Sequence, residues 1–257
     1  MKRSLLFALI LLVPAAVVIS AQQAGENLPP RYPGTNTRVP GVFITPIAGE
    51  PFSASVEVQT EVVATDGTWS TRHTLNQIAR DSAGRIHNER RLLVPESFRG
   101  EPRVLEVHIF DPQKLTNVFY DPMTHIATQR LLSVVPKEVN AARPGAKVED
   151  LGIQTLSGIE TKGLRYSFTV PGQVSGTGQP VEITDEYWYS EELHLNILVR
   201  HHDPRTGLQT VAITTINREE PSPALFEIPD GYKIVDVTPP PGTPVSQSGA
   251  MGITPSR

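Results

Sequence analysis

Apolar and polar residues alternate with a period of two along most of this chain, and that alternation limits what it can fold into. Ala54, Val56, Val58 and Val62 alternate with Glu57, Gln59 and Glu61. Leu105, Val107 and Ile109 alternate with Glu106 and His108; Leu195, Ile197 and Val199 stand beside Asn196 and Arg200; Val211 and Ile213 lie between Gln209 and Thr215. Strand side chains point to the two faces in turn, so each run has one covered and one wet face, the antiparallel pattern. Turn residues fall between the runs: Asp66-Gly67, Asp81-Ser82-Ala83-Gly84, Asp121-Pro122-Met123-Thr124 and Asp203-Pro204-Arg205-Thr206-Gly207. Asp bonds the backbone ahead of it, Pro presets the first turn dihedral and Gly takes the left-handed position. Helix signals are confined to 136–142 and to one turn at most in 190–193. The expectation is an all-β fold with minor helix, of roughly ten strands.

The ends are different in kind. Lys2 and Arg3 precede an apolar block over 5–19, then Ser20-Ala21-Gln22. Two charges, a short apolar run and a small residue form a signal peptide over 1–21, with cleavage between Ala21 and Gln22. The block is shorter than the ~20 residues a span requires, and no later stretch is long or apolar enough to span. The chain is thus expected to be exported, to the periplasm or outside the cell. Residues 22–51 read as a Pro-rich linker in which Val42-Phe43-Ile44 can dock as a short strand. A single β-rich domain follows over 52–237, and 238–257, with Pro239-Pro240-Pro241, reads as a disordered tail. There is no cysteine, so disulfides, thiolate metal sites and a lipidated cysteine are excluded, and the core must hold the fold. Acidic residues number 27 against 23 basic, two of those in the leader, with no basic run. Nucleic acid and anionic headgroups are poor partners for such a chain.

No constellation has mechanistic spacing. His194, His201, His202 and Asp203 invite a metal reading, but His194 and His201 would be roughly 23 Å apart on one strand, and His201 and His202 point to opposite faces. Glu182 and Glu186 share a face about 13 Å apart, too far for a glycosidase pair. Asp185 lies on the other face with Val181, Ile183, Tyr187 and Tyr189. It needs a partner such as Arg165 or Arg200, or a bulge. The loop 171–180 is Gly-rich, but no lysine and no helix follow the glycines, so it is a long hairpin loop and not a phosphate cradle. Trp188, among glutamates, is either a contact surface or is covered by the segment around Leu225-Phe226. No Gly-x-Ser-x-Gly elbow occurs. No catalytic, cofactor-binding or metal-ligating residue is assigned, and no cofactor is expected.

Several segments are familiar as a set: Arg80-Asp81-Ser82-Ala83-Gly84-Arg85 with Asn88-Glu89-Arg90; Phe110-Asp111-Pro112 through Tyr120-Asp121-Pro122-Met123-Thr124; 151–159; Glu186-Tyr187-Trp188-Tyr189-Ser190; His202-Asp203-Pro204-Arg205-Thr206-Gly207; and 223–232. Over most of 52–236 the chain resembles a family of uncharacterised secreted β-rich proteins typical of acidobacteria. More remotely its layout is similar to the half-barrels of periplasmic lipoprotein carriers and the related lipoprotein-sensing regulators. The resemblance implies an exported protein with a strongly curved antiparallel sheet, half-barrel-like, and brings no established activity.

Three functions follow as expectations. The first is a non-enzymatic binding module whose apolar sheet face takes a lipid, an acyl chain or a lipoprotein tail. Its wall would be Val56, Val58, Leu105, Val107, Ile109, Leu195, Ile197 and Val199. The second is an envelope structural or protein-interaction module tethered by its Pro-rich ends. The third, a metal-dependent hydrolase, has no motif behind it.

Overall fold

The computed structural model describes residues 42–63, 66–135 and 145–240. The signal peptide, most of the Pro-rich lead, the helix signal at 136–142 and nearly all of the tail lie outside the described residues. Among the described residues, thirteen strands form one sheet. They are β1 (Phe52–Val63), β2 (Trp69–Arg80), β3 (Ile86–Arg91), β4 (Val94–Pro95), β5 (Val104–Asp111), β6 (Thr116–Asp121), β7 (Ile126–Leu131), β8 (Lys147–Leu156), β9 (Ile159–Val170), β10 (Val181–Ser190), β11 (Leu195–Asp203), β12 (Gly207–Asn217) and β13 (Lys233–Asp236). One helical turn, α1 (Gly172–Ser175), and one 3-10 turn, Pro223–Phe226, accompany them. The strands beyond the expected ten include the two-residue β4 and the four-residue β13, too short to show a period.

The order is β13-β7-β6-β5-β3-β2-β1-β12-β11-β10-β9-β8, with β4 beside β2. β8 and β13 are the two ends, so the sheet is large, curved and unclosed. Every pairing is antiparallel except β13 on β7, where the final strand returns parallel. The expected turns join the strands, and their aspartates act as read. Asp66, Asp81, Asp111, Asp121 and Asp203 each accept the backbone N–H two residues ahead.

One face of the sheet holds the main core. Phe52, Ala54, Val56 and Val58 of β1 cluster with Ile78, Ile86, Phe110, Leu195, Ile197, Val199, Val211 and Ile213, all buried. Residues from β5 and β11, far apart in the strand order, meet in this cluster because the sheet curves around it. Leu115, Leu132, Leu156 and Ile159, at the hairpin tips and strand ends of both wings, pack on the same cluster. That end of the concave face is therefore filled. Val42 and Ile44 are buried in it too, although no strand forms there. The patch docks without forming a strand, by burial of Val42 and Ile44 and an Asn88 Nδ2 donation to the Val42 carbonyl, and 42–50 belongs to the packed domain, not to a free linker.

Arg80 anchors this end. It is fully buried. Its Nε donates to the Glu50 carbonyl at 2.8 Å, and Nη1 donates to the carbonyls of Thr45 at 2.9 Å and Leu193 at 3.1 Å. The guanidinium lies 5.0 Å from the Phe52 ring centroid. Burial lowers its pKa to about 10, opposed by the Glu50 carboxylate.

The opposite face has its own core over β2–β7. Ala79, Val107, Ile109, Val118, Tyr120 and Ala127 are covered by Phe226, with Leu225, Ile228 and Tyr232 packed alongside. The C-terminal segment is latched down by polar contacts. Glu220 accepts from the backbone N–H of Ser82 at 3.1 Å, and the Leu225 carbonyl meets His87 Nδ1 at 2.7 Å. The Arg85 guanidinium sits 4.9 Å over the Phe226 ring.

Candidate functional site

Antiparallel pairing lines up the concave side chains of the β8–β12 wing in rows. One row runs Val58–Val211–Val199–Tyr187–Leu164, one residue from each of β1, β12, β11, β10 and β9. The next row, further from the filled end, runs Thr60–Gln209–His201–Asp185–Tyr166–Val148. An apolar row thus lies directly beneath a polar one.

Exposure changes along these rows. Val58, Val199 and Val211 are buried, whereas Leu164, Tyr166 and Tyr187 are half-buried and Val148 is 53% exposed; Phe168, one row further along β9, is half-buried too. The outer wing therefore presents an aliphatic and aromatic surface on its concave side. Tyr166 and Tyr187 meet edge to face, with centroids 5.9 Å apart. Within the polar row, His201 Nδ1 lies 2.6 Å from Asp185 Oδ1. His201 Nε2 is buried and has no hydrogen-bond partner among the described residues.

The other wing adds a second aromatic pair to the same side of the sheet. His108 stacks on Phe119 with centroids 4.4 Å apart, and its Nε2 meets Asn117 Oδ1 at 2.5 Å. Burial pushes the His108 pKa down to about 4; the Asn117 contact opposes the shift and the charge of His87 adds to it.

The eight expected wall residues are not one surface. Val56, Val58, Leu195, Ile197 and Val199 line the filled concave core, whereas Val107 and Ile109 belong to the core on the opposite face. Leu105 shares their side of β5 by alternation. The register explains the split: Phe110 pairs Ile86 and His108 pairs Asn88, so the other phase of β5 faces inward. Period two separates the faces of a strand, but the phase between strands comes from pairing.

Asp185 has neither arginine for a partner. Arg165 and Arg200 both pair with Glu186 on the convex face, at 3.0 and 3.4 Å. The nearest sequence signal is on β11, where Leu195, Ile197, Val199, His201 and Asp203 share one phase and all are buried. A histidine on an apolar phase, two residues beyond Val199, marks a buried imidazole that needs a partner. His202 is exposed on the other face and His194 sits in the β10–β11 turn with φ 53°, so the histidine cluster disperses.

Trp188 is buried, but not by Leu225 and Phe226, which cover the other wing. Its ring lies against Gly163 on the neighbouring strand, where a Cβ would come within 2.7 Å of it. Its indole N–H donates to Glu186 Oε1 at 2.6 Å. Burial raises the Glu186 pKa, but the Trp188 N–H and the two arginines outweigh it and hold the carboxyl below its ordinary range. This ladder borders an open hollow of about 410 Å³ lined by Lys147, Glu149, Arg165, Glu182, Glu186 and Arg200, among others. Its charges compensate one another at the surface and contribute little. The long hairpin loop 171–180 contains the single turn α1; Arg205 ties it down by donating to the Ser175 carbonyl at 3.0 Å.

No protein-family model matches the chain, and no curated protein matches it. The likeness to secreted acidobacterial proteins therefore stays a resemblance. Among solved structures, an uncharacterized conserved protein from Thermus thermophilus is similar over 73% of this chain and 90% of that one, with 12% identity and a TM-score of 0.40. The Pseudomonas aeruginosa MucA/MucB complex is similar over 70% of this chain, with 12% identity and a TM-score of 0.35; the chain spans 56% of that one. A LolA superfamily protein from Nitrosomonas europaea is similar over 71% of this chain and 92% of that one, with 11% identity and a TM-score of 0.29. Likeness at this level carries no argument about what the chain binds.

Proposed function

We propose that the chain is an exported, non-enzymatic binding module that takes an apolar ligand, such as a lipid or an acyl chain, on the concave face of β9 and β10. One observation carries this reading: Leu164, Tyr166, Phe168 and Tyr187 are only half-buried on the concave side of strands whose convex side is an ion-pair ladder. An uncovered apolar surface is costly in water, at ~25 cal/mol per Å², and a ligand that covers it recovers that free energy. Val199 and Val58 lie in the same row as Tyr187 and Leu164 and form its floor. The remaining residues of the expected wall are structural.

The test uses the leaderless protein and the fluorescent apolar probe 1-N-phenylnaphthylamine. Saturable binding with enhanced emission is expected, together with lipid in an organic extract of the purified protein. Absence of saturable binding together with a clean extract overturns the reading. A second reading, a protein-interaction module, is favoured by β8. It is a ten-residue terminal strand whose Val148 and Ile153 are 53% and 72% exposed, and a free edge invites strand addition. Crosslinking from Ile153→Cys in the envelope distinguishes it, because a discrete adduct is expected only if the edge is occupied.

A further inference from the structure

The polar row contains a feature that an apolar surface alone does not need. His201 is 6% exposed and sits between Val199 and Asp203 on the concave phase of β11. Its neighbours across the ladder are Asp185 and Gln209, with Tyr166 beyond Asp185. The Asp185 carboxylate, 2.6 Å from Nδ1, fixes that nitrogen as the donor. In the neutral form of the imidazole, Nε2 is then a lone-pair acceptor. Among the described residues, that acceptor is buried without a partner, and buried polar groups without partners are rare because desolvation is not repaid. A carboxylate that orients an imidazole whose second nitrogen is left unpaired is the arrangement of a prepared hydrogen-bonding group. Directly below it lies the apolar row of Val199, Tyr187 and Leu164.

The geometry points to His201 Nε2 as the head-group anchor of the ligand site, with Asp185 as its positioning residue. The ligand class is an amphipathic molecule with an alkyl chain and an uncharged hydrogen-bond donor at its polar end: a long-chain alcohol, an acylglycerol or a protonated fatty acid. The chain covers Leu164 and Tyr187 while the donor meets Nε2. This inference rests on the apolar-ligand reading above and adds the chemistry of the head group.

The experiment measures displacement of 1-N-phenylnaphthylamine from the leaderless protein by 1-dodecanol and by methyl dodecyl ether, which keeps the chain and oxygen but lacks the donor. The wild-type protein is expected to bind the alcohol at least tenfold more tightly. In His201→Leu the preference falls to within twofold while the probe still binds. Asp185→Asn, which retains an acceptor for Nδ1, keeps part of the preference. If the probe binds the wild-type protein but alcohol and ether compete equally, the anchor is wrong and the apolar-ligand reading stands; a trapped water on Nε2 gives that result. A preference that survives in His201→Leu also overturns the anchor. If the probe does not bind and the organic extract is clean, both readings fail together. The wild-type comparison needs no variant to fold.

Discussion

At the scale of single residues, two basic side chains, the fully buried Arg80 and the half-buried His108, set measurable behaviour. Arg80 gathers three backbone carbonyls from two distant segments, 42–50 and the β10–β11 turn. Arg80→Ala removes the side-chain donor from all three, leaving the Thr45 carbonyl only the Ile47 N–H, and is expected to cost about 3 kcal/mol, read as a lower urea midpoint at unchanged m-value. Arg80→Lys recovers little, because an ammonium lacks the planar fork. His108 acts through pH. Its folded pKa, about 4, lies below the ordinary 6.5, so as pH falls below 6.5 the unfolded chain takes up a proton that the fold refuses. Its contribution is complete above pH 6.5 and is lost as pH falls through about 4, by an amount of order 3 kcal/mol. Urea titrations at pH 7 and pH 4.5 check it, and His108→Gln is expected to remove that share of the acid sensitivity. Neither role was legible in the sequence. Arg80 reads as a charged residue before an Asp turn, and its burial depends on Thr45 and Leu193, which are remote in sequence. His201 was half legible: its apolar phase on β11 was present, but its pairing with Asp185 required the β10–β11 register.

At the scale of elements, alternation and turn residues specified the two faces of the longer strands such as β1, β5, β11 and β12, and most of their ends. The relation between neighbouring strands was not specified, because a one-residue change of phase leaves the period intact while moving every side chain to the other face. Hence Val107 and Ile109 read as companions of Val56 but lie across the sheet from it. The β9–β10 pair shows what register adds. Gly163 faces Trp188 across the ladder, and a glycine in a strand interior marks a close approach. Gly163→Ala puts a methyl group within 2.7 Å of the indole, and the ring must move. The expected cost is about 1–3 kcal/mol. There are two tryptophans in the chain, and Trp69 is half-exposed, so emission from the buried Trp188 reports the change. A red shift in Gly163→Ala, relative to wild type, is the expected signal.

At the scale of the whole molecule, one curved sheet serves two ends differently. Toward the hairpin tips of Leu115, Leu156 and Leu193 the concavity is packed with side chains; along β9 and β10 it is left half-open. The division is set by chain length outside the strands. The segment 42–50 and the β10–β11 turn reach the first region and plug it, with Arg80 tying both in place. The two regions should therefore separate stability from binding. Ile197 is 1% exposed within the filled part. Ile197→Ala opens a cavity there and is expected to lower stability by about 2–4 kcal/mol, with probe affinity within twofold of wild type. Leu164 lies in the half-open part. Leu164→Gln places a polar group where water already reaches, so the urea midpoint should hold to within about 0.5 kcal/mol while probe affinity falls fivefold or more. Both measurements on both variants decide the matter. If Ile197→Ala weakens the probe as much as Leu164→Gln does, the ligand surface extends into the centre and the division between a packed end and a binding wing is wrong.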